Sequence, residues 1–306
     1  MKLLVTGING FVGGGICKAA AGHWEVHGVG RSENALAGGI AEGVGGRVIY
    51  HRVDLTDAGA VEEVMLRVRP DVVVHAAAIA NIDFCEKNRG EAEAINVAST
   101  ERVVRVAKEI GARVVFCSTD TVFDGRRGLY REEEAPSPVN FYGETKVRAE
   151  RVVLEADLRN VVARVALVMG FPVVGEQHTF LRDILGKLEH GEAANFAYNE
   201  VRSPIDVLTL GEALVELAGP DCDFSGVIHL ASSEPMNRYD MARRIAVRAG
   251  YPADKITSVN SNIFPGRAPR PDDASLDNSL ARRVLKTPML DFDASLERCF
   301  GQLKHN

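Results

Sequence analysis

Short, uninterrupted apolar runs alternate along most of this chain with longer stretches whose apolar residues recur every three or four positions. Runs of the first kind predict strands over 2–6, 25–29, 48–51, 72–75, 113–117 and 161–168. Stretches of the second kind predict helices over 11–21, 58–67, 91–110 and 142–156. Strands that are apolar on both sides and separated by helices belong to a parallel sheet covered on both faces, so the pattern predicts an α/β fold, a doubly wound parallel sheet of the Rossmann type. After Gly170 glycine, proline and charged residues are mixed and the regularity weakens, leaving one further strand over 227–230 and one helix over 238–249. The predicted division is a Rossmann domain over 1–168, to which the chain returns around 203–232, and a smaller C-terminal α/β lobe from 169–202 and 233–306.

Composition narrows the function classes. The 306 residues carry 36 Lys and Arg against 42 Asp and Glu, a net charge of −6, without the basic stripe that a nucleic-acid groove needs. The apolar start at Met1–Val5 is too short for a signal segment, and no run approaches the length of a membrane helix. The five cysteines are odd in number and scattered, which reads as reduced thiols in a cytoplasm. No Cys or His pair has zinc spacing, so no metal site is expected.

The first strand runs straight into Thr6-Gly7-Ile8-Asn9-Gly10-Phe11-Val12-Gly13, a G-x-x-G-x-x-G turn that opens a helix. Glycines allow a tight turn and close backbone approach, and the helix start offers free N–H groups and partial positive charge, so Gly7, Asn9, Gly10, Phe11, Val12 and Gly13 are expected to hold a dinucleotide pyrophosphate. The second strand ends at Gly30-Arg31-Ser32, where the adenosine ribose of such a cofactor would lie. Arg31 matches a 2′-phosphate, which favours NADP over NAD. Asp54 and Leu55 after the third strand are placed for the adenine, and Ala76, Ala77 and Ala78 after the fourth let backbone lie close to the cofactor.

The fifth strand ends in Ser118-Thr119-Asp120, and Tyr142-Gly143-Glu144-Thr145-Lys146 follows on a helix. Positions i and i+4 share a helix face, so Tyr142 and Lys146 point the same way. A nearby ammonium is expected to lower the phenol's pKa, fitting Tyr142 for proton transfer while Thr119 holds a carbonyl oxygen. His75 reads as a packed, hydrogen-bonded histidine rather than a base.

These residues resemble the extended short-chain dehydrogenase/reductase family, and within it the dTDP-4-dehydrorhamnose reductases. The likeness is carried by His75-Ala76-Ala77-Ala78, Ile95-Asn96-Val97, Ser118-Thr119-Asp120-Thr121-Val122-Phe123-Asp124-Gly125, Pro138 to Lys146, and Pro269 to Asp277. The resemblance implies that Thr119, Tyr142 and Lys146 form the catalytic triad, that Asp120 lies beside the substrate, that Asn96 supports the lysine through water, and that Lys146 grips the nicotinamide ribose. Two segments depart from the pattern. Val165 to Gly170 lacks the aromatic residue that would wall the sugar ring, and Glu200-Val201-Arg202-Ser203-Pro204 adds a positive charge. Arg202, Arg267 and Arg270 are candidates to clamp a diphosphate, since guanidinium forks match phosphate oxygens.

The leading expectation is an NADPH-dependent reductase of a keto group on a nucleotide sugar. Asp120 is followed by Thr121 rather than an acid, against dehydration, and Arg31 counts against an NAD-dependent epimerase. A non-catalytic NADP-binding regulatory subunit is the alternative from another class, because the β subunit of methionine adenosyltransferase resembles the same reductases. Helices of this kind also leave room for a homodimer.

Overall fold

The computed structural model describes residues 1–33, 48–175, 177–192, 194–261 and 264–302. Seven strands form one sheet: β1 (Lys2–Thr6), β2 (Glu25–Gly30), β3 (Val48–Arg52), β4 (Val72–His75), β5 (Arg113–Thr119), β6 (Val161–Val165) and β7 (Gly226–Leu230). Their spatial order is β7-β6-β5-β4-β1-β2-β3, and every pairing is parallel. The register sets Thr6 beside His75, His75 beside Phe116 and Thr119 beside Val165, so the strand ends that carry chemistry finish along one edge.

Alternate residues of these strands feed two separate cores. One face packs on α1 (Phe11–Ala20), and the other on α2 (Ala58–Val68), α3 (Ser99–Ile110) and α4 (Phe141–Ala156), so that Leu3 and Val5 lie in the first core and Leu4 in the second. The lobe adds α5 (Phe180–Glu189), α6 (Val207–Ala218), α7 (Arg238–Arg248) and α8 (Phe292–Gly301). Of these, α6 covers the α1 side of the sheet, while α5, α7 and α8 enclose a third core around Leu181, Ile184, Met241 and Phe292. Among the described residues no helix is long and apolar enough to cross a membrane.

Two helical and strand expectations are corrected. The run over 161–168 is not one strand: it leaves the sheet after Val165, and Val168–Met169 pairs instead with Ile205–Asp206. The branch point lies where Ala166 N–H donates to Leu230 carbonyl at 3.1 Å, closing β6 against β7 before the chain departs. The stretch over 91–110 is likewise interrupted, by a π-turn at Ala94–Ala98 between Arg89–Glu93 and α3. Such turns insert one extra residue into the helical ladder and recur at functional sites.

The approach of α6 to α1 depends on two glycines. A Cβ on Gly211 would stand 2.3 Å from the Gly15 carbonyl oxygen, and one on Gly15 would stand 2.5 Å from that of Val207. Both obstacles are backbone, which cannot rotate aside. Gly211→Ala is therefore expected to lower the unfolding free energy by roughly 2 kcal/mol in a urea titration; a variant as stable as the parent would show that the two helices can separate at no cost.

Candidate active site

The glycine turn leaves β1 with Gly7 in the left-handed region (φ +70°), and Gly7 N–H donates to the Val29 carbonyl at 2.9 Å. A Cβ on Gly7 would stand 2.9 Å from Ala77 Cα, and one on Gly13 2.2 Å from the Gly7 carbonyl, so the turn admits no side chain at either place. Gly10 caps α1 and supplies no side-chain acceptor to its first N–H groups, and no acid occupies the first turn. The start of α1, with Phe11, Val12 and Gly13, thus suits an anion. This arrangement fits a dinucleotide pyrophosphate.

Toward β2 the turn is braced by Asn9, whose amide donates to Ser32 Oγ at 3.1 Å, the Glu33 carbonyl at 3.0 Å and Tyr50 Oη at 3.2 Å. Arg31 and Ser32 are exposed at the end of β2. Asp54 accepts from Thr56 N–H at 2.9 Å and Thr56 Oγ1 at 2.8 Å, and these bonds, with Arg31 adding to them, hold its carboxyl below the usual range. Leu55 is buried beside it. Ala76, Ala77 and Ala78 follow β4, where Ala77 N–H donates to Thr6 Oγ1 at 3.2 Å. His75 is fully buried between Thr6 and Thr100, at 2.6 and 3.0 Å, and burial pushes it down to about 3; it is neutral packing, as expected.

Across the strand ends lie Thr119, Asp120, Tyr142 and Lys146, all buried. The N-cap Asn140 accepts from Gly143 N–H at 2.9 Å and so starts α4 where Tyr142 falls in its first turn. Thr119 Oγ1 is 3.1 Å from Asp120 Oδ1 and accepts from Thr121 N–H at 3.1 Å. Lys146 Nζ donates to the Cys117 carbonyl at 2.7 Å and lies 4.0 Å from the centre of the Phe116 ring. Burial lowers Lys146 to about 8.

One expectation changes here. Tyr142 is raised, not lowered: burial and the Asp120 carboxylate push the phenol up, against a hydrogen bond with Thr119. Lys146 shares its helix face, but its charge is committed to the β5 carbonyl. Asn96 lies in the π-turn, where its side chain is fixed by direct bonds to Ile79 and Thr145. Its carbonyl accepts from Ile79 N–H at 2.8 Å, and its amide donates to the Ile79 carbonyl and to Thr145 Oγ1, each at 3.1 Å.

A cleft of about 1480 Å³ opens over Thr119, Asp120 and Tyr142, and Arg202, Arg238, Arg267 and Arg270 line it. Arg270 is engaged as a fork on Asp83, with both bonds at 2.7 Å. Arg202 is buried, donating to the Val201 and Pro271 carbonyls at 2.6 and 3.0 Å with its Nε 3.5 Å from Asp120 Oδ2. Arg267 and Arg238 share Glu200, at 2.5 and 2.9 Å. Burial raises Glu200, but Arg238 and Arg267 outweigh it and hold the carboxyl down at about 2. Arg238 and Asp83 escaped the reading of the sequence because their partners lie far away along the chain. Gln177 was also unmarked; its amide reaches from the lobe to the Asn9 carbonyl at 2.5 Å.

A seven-stranded parallel sheet with this glycine turn, and a Thr, Tyr and Lys at the adjoining strand ends, define an extended short-chain dehydrogenase/reductase. The chain belongs to the RmlD substrate binding domain family, whose model matches residues 1–305. It is 30% identical over 283 residues to methionine adenosyltransferase 2 subunit beta of Bos taurus, covering 91% of this chain and 80% of that one. It is 27% identical over 259 residues to dTDP-4-dehydrorhamnose reductase of Escherichia coli strain K12, covering 82% and 85%. The fold is that of dTDP-4-dehydrorhamnose reductase from Bacillus anthracis str. Ames, solved in complex with NADP, with a TM-score of 0.83, 23% identity, and coverage of 99% and 100%.

Because Glu200 is held down in the folded chain, its contribution is present above the unfolded carboxyl pKa and is lost as pH falls from about 4.5 toward about 2. Glu200→Gln should melt lower than the parent at neutral pH and lose less on acidification across that window. Parallel acid profiles by calorimetry would show that the Glu200 charge is not stabilised by the two arginines.

Proposed function

We propose that this protein is an NADPH-dependent reductase of a keto group on a nucleotide-activated sugar, of the dTDP-4-dehydrorhamnose reductase kind. The observation that carries the reading is Thr119 and Tyr142 meeting at an arginine-lined cleft, with Lys146 buried on the same helix face as Tyr142, beside a glycine turn that fits a dinucleotide. NADPH when bound supplies the hydride. The turn residues Gly7, Asn9, Gly10, Phe11, Val12 and Gly13 would hold its pyrophosphate, Arg31 and Ser32 its 2′-phosphate, and Asp54 and Leu55 its adenine. Ala76, Ala77 and Ala78 would lie against it, with Asn96 fixing the loop that follows them and Lys146 and Tyr142 at the nicotinamide ribose.

Reduction leaves negative charge on the carbonyl oxygen, which must be held and protonated. Thr119 Oγ1 donates to that oxygen, and Tyr142 gives it the proton. A phenol kept high by burial and by Asp120 is protonated at neutral pH, the form that reduction needs. Lys146 balances the phenolate that results. Asp120 borders the sugar. Arg202, Arg267 and Arg270 form the basic wall for the diphosphate, Arg202 braced by backbone carbonyls, Arg270 by Asp83, and Arg267 by Glu200, which it shares with Arg238.

The 30% identity to methionine adenosyltransferase 2 subunit beta favours a second reading, that of a regulatory subunit that binds NADPH and catalyses nothing. Turnover decides between them. With a 4-keto-6-deoxy nucleotide sugar, Tyr142→Phe should cut NADPH oxidation by about 10³-fold while cofactor binding persists. A parent that binds NADPH but turns over no sugar of this class would install the regulatory reading. In titrations of NADPH and NADH, Arg31→Ala should weaken NADPH about tenfold and leave NADH unchanged; a parent that prefers NADH would move epimerisation ahead.

A further inference from the structure

The face of α4 that carries Tyr142 and Lys146 carries a third group, four residues further on, to which the reduction gives no task. Glu150 is 3% exposed, and a buried carboxylate is costly unless it is paired and hydrogen-bonded. It is both. Arg164 on β6 donates from Nη2 to Oε2 at 2.9 Å and from Nε to Oε1 at 3.1 Å, and Ser118 Oγ donates to Oε1 at 2.5 Å. Arg164 in turn lies 5.1 Å from the centre of the Phe123 ring. Three consecutive residues at the end of β5 thus meet one helix face: Cys117 takes Lys146, Ser118 gives to Glu150, and Thr119 bonds with Tyr142.

We propose that Glu150 and Arg164, tied to β5 through Ser118, are the positioning pair of this site: they fix the end of β5 against α4 and keep Lys146 aligned and charged. The groups around Lys146 narrow the source of that charge balance. On β4, His75 is held neutral by burial; on β5, burial pushes the Cys117 thiol up to about 12, and Phe116 offers a ring face. On α4 itself Tyr142 is a phenol. Cys117 and then Glu150 oppose the desolvation of Lys146, which stands at about 8; with the thiol pushed up to about 12 and neutral at neutral pH, Glu150 is the one of the two that brings a negative charge. Arg164 pairs with that carboxylate from β6, the side away from the lysine's own helix.

The catalytic meaning of the pair rests on the reductase reading, but its effect on Lys146 can be measured without turnover. Glu150→Leu with Arg164→Met replaces a buried ion pair by side chains of similar volume, a change that commonly preserves folding. Lysines labelled with ¹³C at Cε, with the Lys146 signal identified by its loss in Lys146→Met, are titrated by NMR in parent and variant. The double variant should keep its melting cooperativity while the Lys146 midpoint falls by about half a pH unit or more, and the alkaline limb of kcat should move down with it. Glu150→Asp keeps the pair and withdraws the carboxylate by one methylene, so it should show a smaller shift in the same direction, and it serves where the double variant does not fold. An unmoved midpoint in a folded variant overturns the inference. Absence of turnover in the parent overturns the reductase reading alone, and the titration still decides the pair.

Discussion

The constraint on which this molecule turns is the change of direction at β1. The chain builds outward from β1 through β2 to β3, then returns to lay β4 on its other side and continues to β7, so connections leave β1 and β4 toward opposite faces. A crevice must open between the ends of those strands. Three of the segments singled out in the sequence end on that side of the sheet: the glycine turn from β1, the alanines from β4, and the Ser-Thr-Asp end of β5. Gly7 shows how closely the edges meet, since its missing side chain is the space that Ala77 occupies.

Charge in the cleft is organised by pairing rather than by excess. Five described arginines line it, Arg182, Arg202, Arg238, Arg267 and Arg270, yet Asp83, Asp120 and Glu200 each face at least one of them. The paired arginines are stiff, with their forks already oriented, and stiffness lowers the entropy lost when an anion binds. Asp120 acts in two directions, facing Arg202 on one side and holding Tyr142 as a phenol on the other. The same logic runs beneath the floor, where Glu150 and Arg164 hold each other out of reach of water.

Much of this was legible from the residues. The strands were, because continuous apolar runs bounded by polar residues have few other uses; the glycine turn was, because its spacing and its place between strand and helix are both demanded by one ligand. Tyr142 and Lys146 on one face followed from helical geometry. What stayed hidden has physical causes. The run over 161–168 contains no breaker, so nothing local marks where it abandons the sheet for Ile205–Asp206. The π-turn around Asn96 leaves the apolar period almost unchanged. Lys146 is tied to a backbone carbonyl, an acceptor every residue owns, and the Asp83–Arg270 fork joins positions that only the finished fold brings together.

The path of the chain through the lobe carries a consequence for how the molecule is made. The sheet is not finished when β6 emerges: β7 and α6, which close its last edge and roof its first core, come only after the excursion that begins at Val168–Met169. Until Leu230 has left the ribosome, β6 is an open, apolar edge with unpaired backbone groups, the kind of surface on which chains aggregate. The N-terminal portion is therefore not an independent folding unit, and a recombination or truncation near residue 170 would yield a sticky fragment rather than a smaller domain.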